Sequence, residues 1–327
     1  MNNGKFIISL DLELMWGVRD IETIESYGDA IIGTKRGLDQ MLVCFDKYNI
    51  KATVATVGFL FQKNKKQLLE NLPNKKPSYK IESLSPYKGL EFYLGENEDI
   101  DPYHFGYSLI QLIKKYSYHE LASHTYSHYY CLEEGQKPEQ FEEDLKYALA
   151  IAKKEQVILK SIVFPRNQYN DYYLEICAKY GITSYRGTES SYIYQSTNGS
   201  KQTLFKRALR LLDAYINLTG YHCYPLNKSK ESVPLNIPSS RLLRPYIKGL
   251  KYLEWLKLLR IKNAMTYAAK NKLVYHLWWH PHNFGRNCNK NIILLEKILN
   301  HYNYLNKTYD FQSNTMSELS EELMPGK

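Results

Sequence analysis

The chain has 327 residues, 44% hydrophobic and 24% charged, a profile that excludes a disordered or fibrous protein and allows a large core without disulfide or metal staples. The net charge of +9 admits an anionic partner, yet no basic block is interleaved with a nucleic-acid-binding motif, so nucleic acid is not expected. No run of 18 apolar residues occurs, which excludes a membrane-crossing helix.

In chain order, Phe6–Leu14 reads as a buried strand that ends in acidic residues. Lys35–Tyr48 has the helical spacing of Leu38, Met41, Leu42 and Phe45, and Ala52–Phe61 is a second β-rich run. Ile110–Lys115 predicts a helix leading to a short apolar stretch that ends at His124, and Glu139–Lys154 is an amphipathic helix. Ser161–Phe164 reads as a strand broken by Pro165, Tyr172–Lys179 as a helix and Gly181–Tyr185 as another strand. Helices are predicted over Leu204–Leu218, Tyr252–Lys270 and Asn289–Tyr302, with strands at Leu273–Trp279 and around Asp310–Gln312. This alternation predicts parallel βα units in one domain spanning 1–327, with inserted loops near 63–102 and 188–265. The polar stretches Lys63–Pro102 and Cys223–Pro245 read as lids or binding loops.

The chemistry-bearing residues sit at or just after the ends of apolar runs, where a parallel barrel builds its sites. His124 and His128, spaced as H-T-x-x-H, can aim two imidazoles at one metal ion. Asp11 and Glu13 lie two apart on a strand and so share a face. Glu13 with His124 and His128 forms a catalytic zinc set, and Asp11 is then the candidate base for the attacking water. His280 is the candidate acid for a leaving amine, with His282 as a hydrogen-bond partner, and His276 reads as a packed core histidine. Arg166 is expected to hold Asp11 ionised, and Arg186 to bind substrate or its phosphate. Trp16 and Trp279 are candidates for walls against a sugar ring, although core packing is an equal reading for Trp279.

Taken together, SLDLELMWG, NIKATVATVG, ELASHTYSH, VFPRNQ, LWWHPHN and FQSNTMSEL resemble, in order, the motifs of the polysaccharide deacetylase family. The resemblance implies a distorted parallel (β/α) barrel, a zinc-like divalent metal and hydrolysis of N-acetyl groups on amino sugars. Position by position it implies Asp11 as base, His124 and His128 as metal ligands, His280 as acid and Arg166 as the arginine that orients the base. The sequence differs in having Asp11 and Glu13 separated by Leu12 where the family has consecutive aspartates, which leaves open which acid binds metal. It also reads PRNQ in place of Arg-x-Pro-x-Gly.

The five cysteines are dispersed with no CxxC pair, which fits reduced thiols in a cytoplasmic protein, and the first apolar run contains Asp11 and Glu13, unlike a secretory leader. The expected substrate is therefore an N-acetylated sugar or glycan precursor of surface-polysaccharide assembly, nucleotide- or lipid-linked. The basic stretch Arg241–Lys272, with Leu250, Leu253, Leu256 and Leu259 at helical spacing, admits peripheral contact with the inner face of a membrane. Two rival expectations are an allantoinase-like hydrolase of a small amide and an inactive carbohydrate-binding protein of the same fold.

Overall fold

The computed structural model describes residues 3–195, 203–225 and 234–324. Its frame is a sheet of parallel strands: β1 (Lys5–Leu12), β2 (Ala52–Thr56), β3 (Glu120–Ser123), β4 (Ser161–Ile162), β5 (Ser184–Tyr185), β6 (Leu235–Asn236), β7 (Arg241–Leu242), β8 (Val274–Trp279) and β9 (Gln312–Asn314). The order is β6-β5-β4-β3-β2-β1-β8-β7. β9 pairs with Lys5–Ile7 of β1, and β2 takes over from Ile8 to Leu12. The edge strands β6 and β7 are joined by residues 237–240 alone, so their ends lie within roughly 18 Å. A sheet of this width satisfies that tether only by curling, which is the distorted (β/α) barrel the sequence predicts.

Alternation along β1 separates two layers. Phe6, Ile8, Leu10 and Leu12 join the large core beneath the outer helices. Ile7 faces inward and packs with Ala55, Ala122, Val163, Ile237 and Val274, small or β-branched residues that fit a narrow interior. Ser9 and Asp11 continue this inner face toward the carboxyl end. The interior is therefore apolar below and polar above.

The helices follow from the sequence with local adjustments. The predicted helix over Glu139–Lys154 spans Pro138–Lys154, with Pro at its first turn and Phe141, Leu145, Ala148 and Ile151 buried at helical spacing. The run Ala52–Phe61 stops being a strand at Thr56, and Gly58–Phe61 winds into a 3-10 turn. The helix predicted over Leu204–Leu218 ends at Asp213. Strands β6 and β7 fall within the stretch read as a loop over Cys223–Pro245, part of which lies outside the described residues. The basic stretch Arg241–Lys272 is mostly a docked element: Glu254–Lys270 buries Lys257, Arg260, Ile261, Ala264 and Met265. Among the described residues, no helix is long and apolar enough to cross a membrane.

Candidate active site

Five chain segments deliver polar side chains to the carboxyl ends of the strands. β1 supplies Ser9 and Asp11, and Glu13 follows one residue past its end. The first turn after Glu13 reverses through Leu14 at φ 49°, and Gly17 lies against the Glu13 side chain. A Cβ at Gly17 would fall 1.9 Å from Glu13 Cδ, so only glycine lets this carboxylate occupy its place.

His124 and His128 lie on the loop after β3. Thr125 (φ 61°) and His128 (φ 58°) are both left-handed, a conformation that costs non-glycine residues on the order of 1–3 kcal/mol each. Asp144, buried in the helix Pro138–Lys154, offsets that strain by accepting from the backbone N–H of Tyr126 (2.6 Å) and Ser127 (3.1 Å) and from the Ser127 hydroxyl. Burial outweighs these bonds and pushes the Asp144 carboxyl up to about 6. Sequence reading missed Asp144, and its lone acid on an otherwise apolar helix face was the available signal.

These segments converge on Glu13. Its Oε2 lies 3.1 Å from His124 Nε2 and 3.0 Å from His128 Nε2, while Oε1 lies 3.4 Å from His280 Nε2 and 4.0 Å from His282 Nε2. Burial raises the Glu13 carboxyl, but the His280 charge and the close approach of His124 and His128 outweigh it and hold it well below the usual range. Two three-residue sets bring their donor atoms within 4.8 Å of one another, Glu13–His124–His128 and Glu13–His280–His282.

The first set suits a divalent cation. His124 Nδ1 lies 2.8 Å from the carbonyl of Val163, which only an N–H can satisfy, so a neutral His124 turns a bare Nε2 lone pair toward Glu13. Two acceptors 3.1 Å apart repel unless positive charge sits between them. His128 is less well prepared, because Arg19 Nη1 lies 3.3 Å from its Nδ1, the nitrogen that must carry the proton when Nε2 binds a cation.

Asp11 is held separately. Arg186, from the end of β5, places Nη1 and Nη2 each 2.7 Å from its two carboxylate oxygens, and also reaches Ser9 Oγ (3.0 Å) and Asn167 Oδ1 (3.2 Å). Burial pushes the Asp11 carboxyl up, and the charge and bonds of Arg186 more than reverse this. His276 Nε2 lies 2.8 Å from Ser9 Oγ and Nδ1 lies 3.1 Å from the carbonyl of Ile237. His280 Nε2 lies 3.7 Å from Asp11 Oδ2, and its side chain is 24% exposed, so of the groups around Glu13 it is the one open to a substrate.

Several expected positions differ. Arg166 does not hold Asp11: its residue turns left-handed (φ 54°), and the guanidinium lies over Tyr130 and on Asp20 and Glu133. Arg186, expected to bind substrate, occupies that place and is buried. Trp16 is fully buried, donating to the carbonyl of His104 and packed edge-on against Phe59. Trp279 is equally buried, between Phe45 and Phe284. Strand alternation explains this, since His276, Trp278 and His280 share the inner face of β8 and Trp279 the outer one. Trp278, unselected from the sequence, covers the Arg186 guanidinium at 4.1 Å and lies against His280. His282 stacks on His280 at 5.0 Å and does not bond to it, whereas Asn283 Nδ2 lies 3.4 Å from His280 Nδ1.

The family model described as Polysaccharide deacetylase matches residues 29–185. That region is similar to the polysaccharide deacetylase family. It carries His124 and His128, while Asp11, Glu13 and His280 reach the site from outside it. A Mycobacterium smegmatis protein assigned as a polysaccharide deacetylase has a similar structure, with 13% identity, a TM-score of 0.63, and coverage of 99% of this chain and 91% of that one. A second assigned deacetylase, from Pseudomonas aeruginosa PAO1, gives 10% identity, a TM-score of 0.55 and coverage of 98% and 90%. Puue allantoinase gives 10% identity, a TM-score of 0.53 and coverage of 98% and 89%. At these identities the likeness concerns the fold. No curated protein sequence matches the chain.

Proposed function

We propose that the chain is a metal-dependent N-deacetylase that hydrolyses the acetamide of an amino sugar. The observation that carries this reading is the convergence of His124 and His128 on one oxygen of Glu13, beside an Asp11 locked by Arg186 and a solvent-reachable His280. Glu13, His124 and His128 would hold a divalent cation, with zinc favoured by the nitrogen and carboxylate donors. When bound, the cation supplies Lewis acidity that polarises the amide carbonyl and makes water a nucleophile at neutral pH.

The protein's own groups complete the reaction. Asp11, kept ionised and oriented by Arg186, accepts a proton from the attacking water as its oxygen bonds to the carbonyl carbon. His280 delivers a proton to the nitrogen as the carbon–nitrogen bond breaks, giving acetate and a free amine. Trp278 and His282 pack against His280 and limit its ring to orientations facing Glu13. Arg166, partly exposed and backed by the buried side chains of Asp20 and Tyr130, is placed on a neighbouring loop to meet sugar hydroxyls.

We place the substrate among N-acetylated precursors of a surface polysaccharide. The five cysteines, all free thiols, support a reducing compartment where such precursors are made. The test is acetate release by zinc-loaded protein from N-acetylated amino sugars, with allantoin as the small-amide control. Turnover of allantoin alone would replace the sugar reading with a small-amide one. Binding of sugar without turnover of either would mark a carbohydrate-binding protein.

A further inference from the structure

Outside the site, two segments leave apolar side chains in water beside basic ones. The helix Leu204–Asp213 buries only Asp213, with Leu204 80% and Phe205 72% exposed and Lys206, Arg207 and Arg210 between the apolar positions. The turn Lys248–Leu253 and the start of the next helix expose Tyr252 at 78% and Trp255 at 61%, beside Lys248 and Lys251. Elsewhere the described residues leave large apolar side chains exposed singly, as at Ile81 and Ile158, or in short pairs such as Phe92 and Tyr93.

The two segments are neighbours. Asp213 binds Arg260 at 2.9 Å and Arg241 at 3.2 Å, which ties the end of one helix to the helix Glu254–Lys270 and to β7. Both segments belong to connections that leave the carboxyl ends of parallel strands, β5 and β7, the ends at which Glu13 and His280 lie. The segment after β5 begins at Arg186 itself.

Charge selects the occupant. Across 203–222 and 243–256 the acids are Asp213 and Glu254, and both are engaged, Asp213 by arginines and Glu254 by Lys257 at 2.8 Å. The exposed bases Arg207, Lys248 and Lys251, with the half-buried Lys206, therefore give the described surface a positive sign. Leucines interspersed with Phe, Tyr and Trp among lysines and arginines are the side chains that insert at a headgroup boundary while pairing with lipid phosphates. We infer that this surface docks on an anionic membrane, with the site's face of the barrel toward the bilayer. The inference stands whatever reaction the site performs.

The test is flotation of the full chain with vesicles of phosphatidylcholine alone or with about one-third phosphatidylglycerol, at low and high salt. Recovery with the anionic vesicles, reduced by salt, is expected. The double variant Phe205→Glu, Trp255→Glu should lose binding by at least about ten-fold, with unchanged circular dichroism and thermal midpoint. Failure to bind anionic vesicles, or binding indifferent to both substitutions, overturns the inference. So does self-association in sedimentation equilibrium that the same variant abolishes without any vesicle binding, which would assign the surface to a second copy of the chain.

Discussion

Both carboxylate oxygens of Asp11 lie 2.7 Å from the guanidinium of Arg186, inside the barrel and away from water. A planar fork on a carboxylate fixes orientation as well as charge. Removing one partner of such a buried pair strands the other, at a cost of roughly 3–5 kcal/mol. Arg186→Ala is expected to lower unfolding stability by about that amount. Arg186→Lys keeps the charge but loses the fork, so it should retain more stability while kcat falls at least about ten-fold with little change in KM. Denaturant titration and initial-rate kinetics check both, and an Arg186→Lys enzyme with normal kcat would remove the positioning role.

Arg19 opposes cation binding at His128, because its Nη1 faces the imidazole nitrogen that must become protonated. Arg19→Gln is therefore expected to tighten zinc binding by about ten-fold, within the range of changes around a ligand's outer hydrogen bond. Competitive chelator titration measures this. Unchanged or weaker affinity would show that the contact does not govern the ligand.

Asp144 satisfies the strained loop that carries both histidines. Asp144→Ala leaves the backbone N–H groups of Tyr126 and Ser127 buried without acceptors, at roughly 1–3 kcal/mol each. The expected result is a destabilised protein that also binds zinc more weakly, because His124 and His128 lose their fixed separation. Loss of stability with full zinc affinity would separate the loop's strain from the site's geometry.

Acid should destabilise the fold through histidines held neutral. Burial, reinforced by the Arg186 charge, lowers His276 from 6.5 to about 3, and burial lowers His119 to about 4. The folded state thus binds fewer protons than the unfolded chain below pH 6.5. Their contribution is complete above that value and is lost as pH falls toward 3–4, at up to about 1.4 kcal/mol per pH unit for the fully buried His276 and less for the partly buried His119. The thermal midpoint of metal-free protein should fall between pH 7 and pH 5, and less steeply in His276→Gln, whose amide can keep both hydrogen bonds. Parallel pH profiles for the two proteins would exclude His276 as a source of the acid sensitivity.

The sequence made Asp11, Glu13, His124, His128 and His280 legible because each follows an apolar run, and in a parallel barrel those runs end on one face. It did not reveal which arginine reaches Asp11. Arg166 and Arg186 each follow a short strand, and the left-handed turn at Arg166 directs that side chain elsewhere. The Trp pair was readable in principle, since counting by two from His276 puts Trp278 inside and Trp279 outside. Strands β6 and β7 are as short as β4 and β5 but lie in a Pro- and Ser-bearing stretch, so no continuous apolar run marks them. Asp144 stands out only as a lone acid on an apolar helix face, and its partners Tyr126 and Ser127 lie too far along the chain for that pattern to name them.

One ion shared by Glu13, His124 and His128 is the centre of the proposed chemistry, and equilibrium zinc titration of the metal-free protein tests for it most directly. Wild-type protein and Asp11→Asn should each bind one zinc per chain with similar affinity, while Glu13→Gln and His128→Ala should each lose at least about a hundred-fold. Wild-type affinity in Glu13→Gln and His128→Ala, or loss confined to Asp11→Asn, would contradict it.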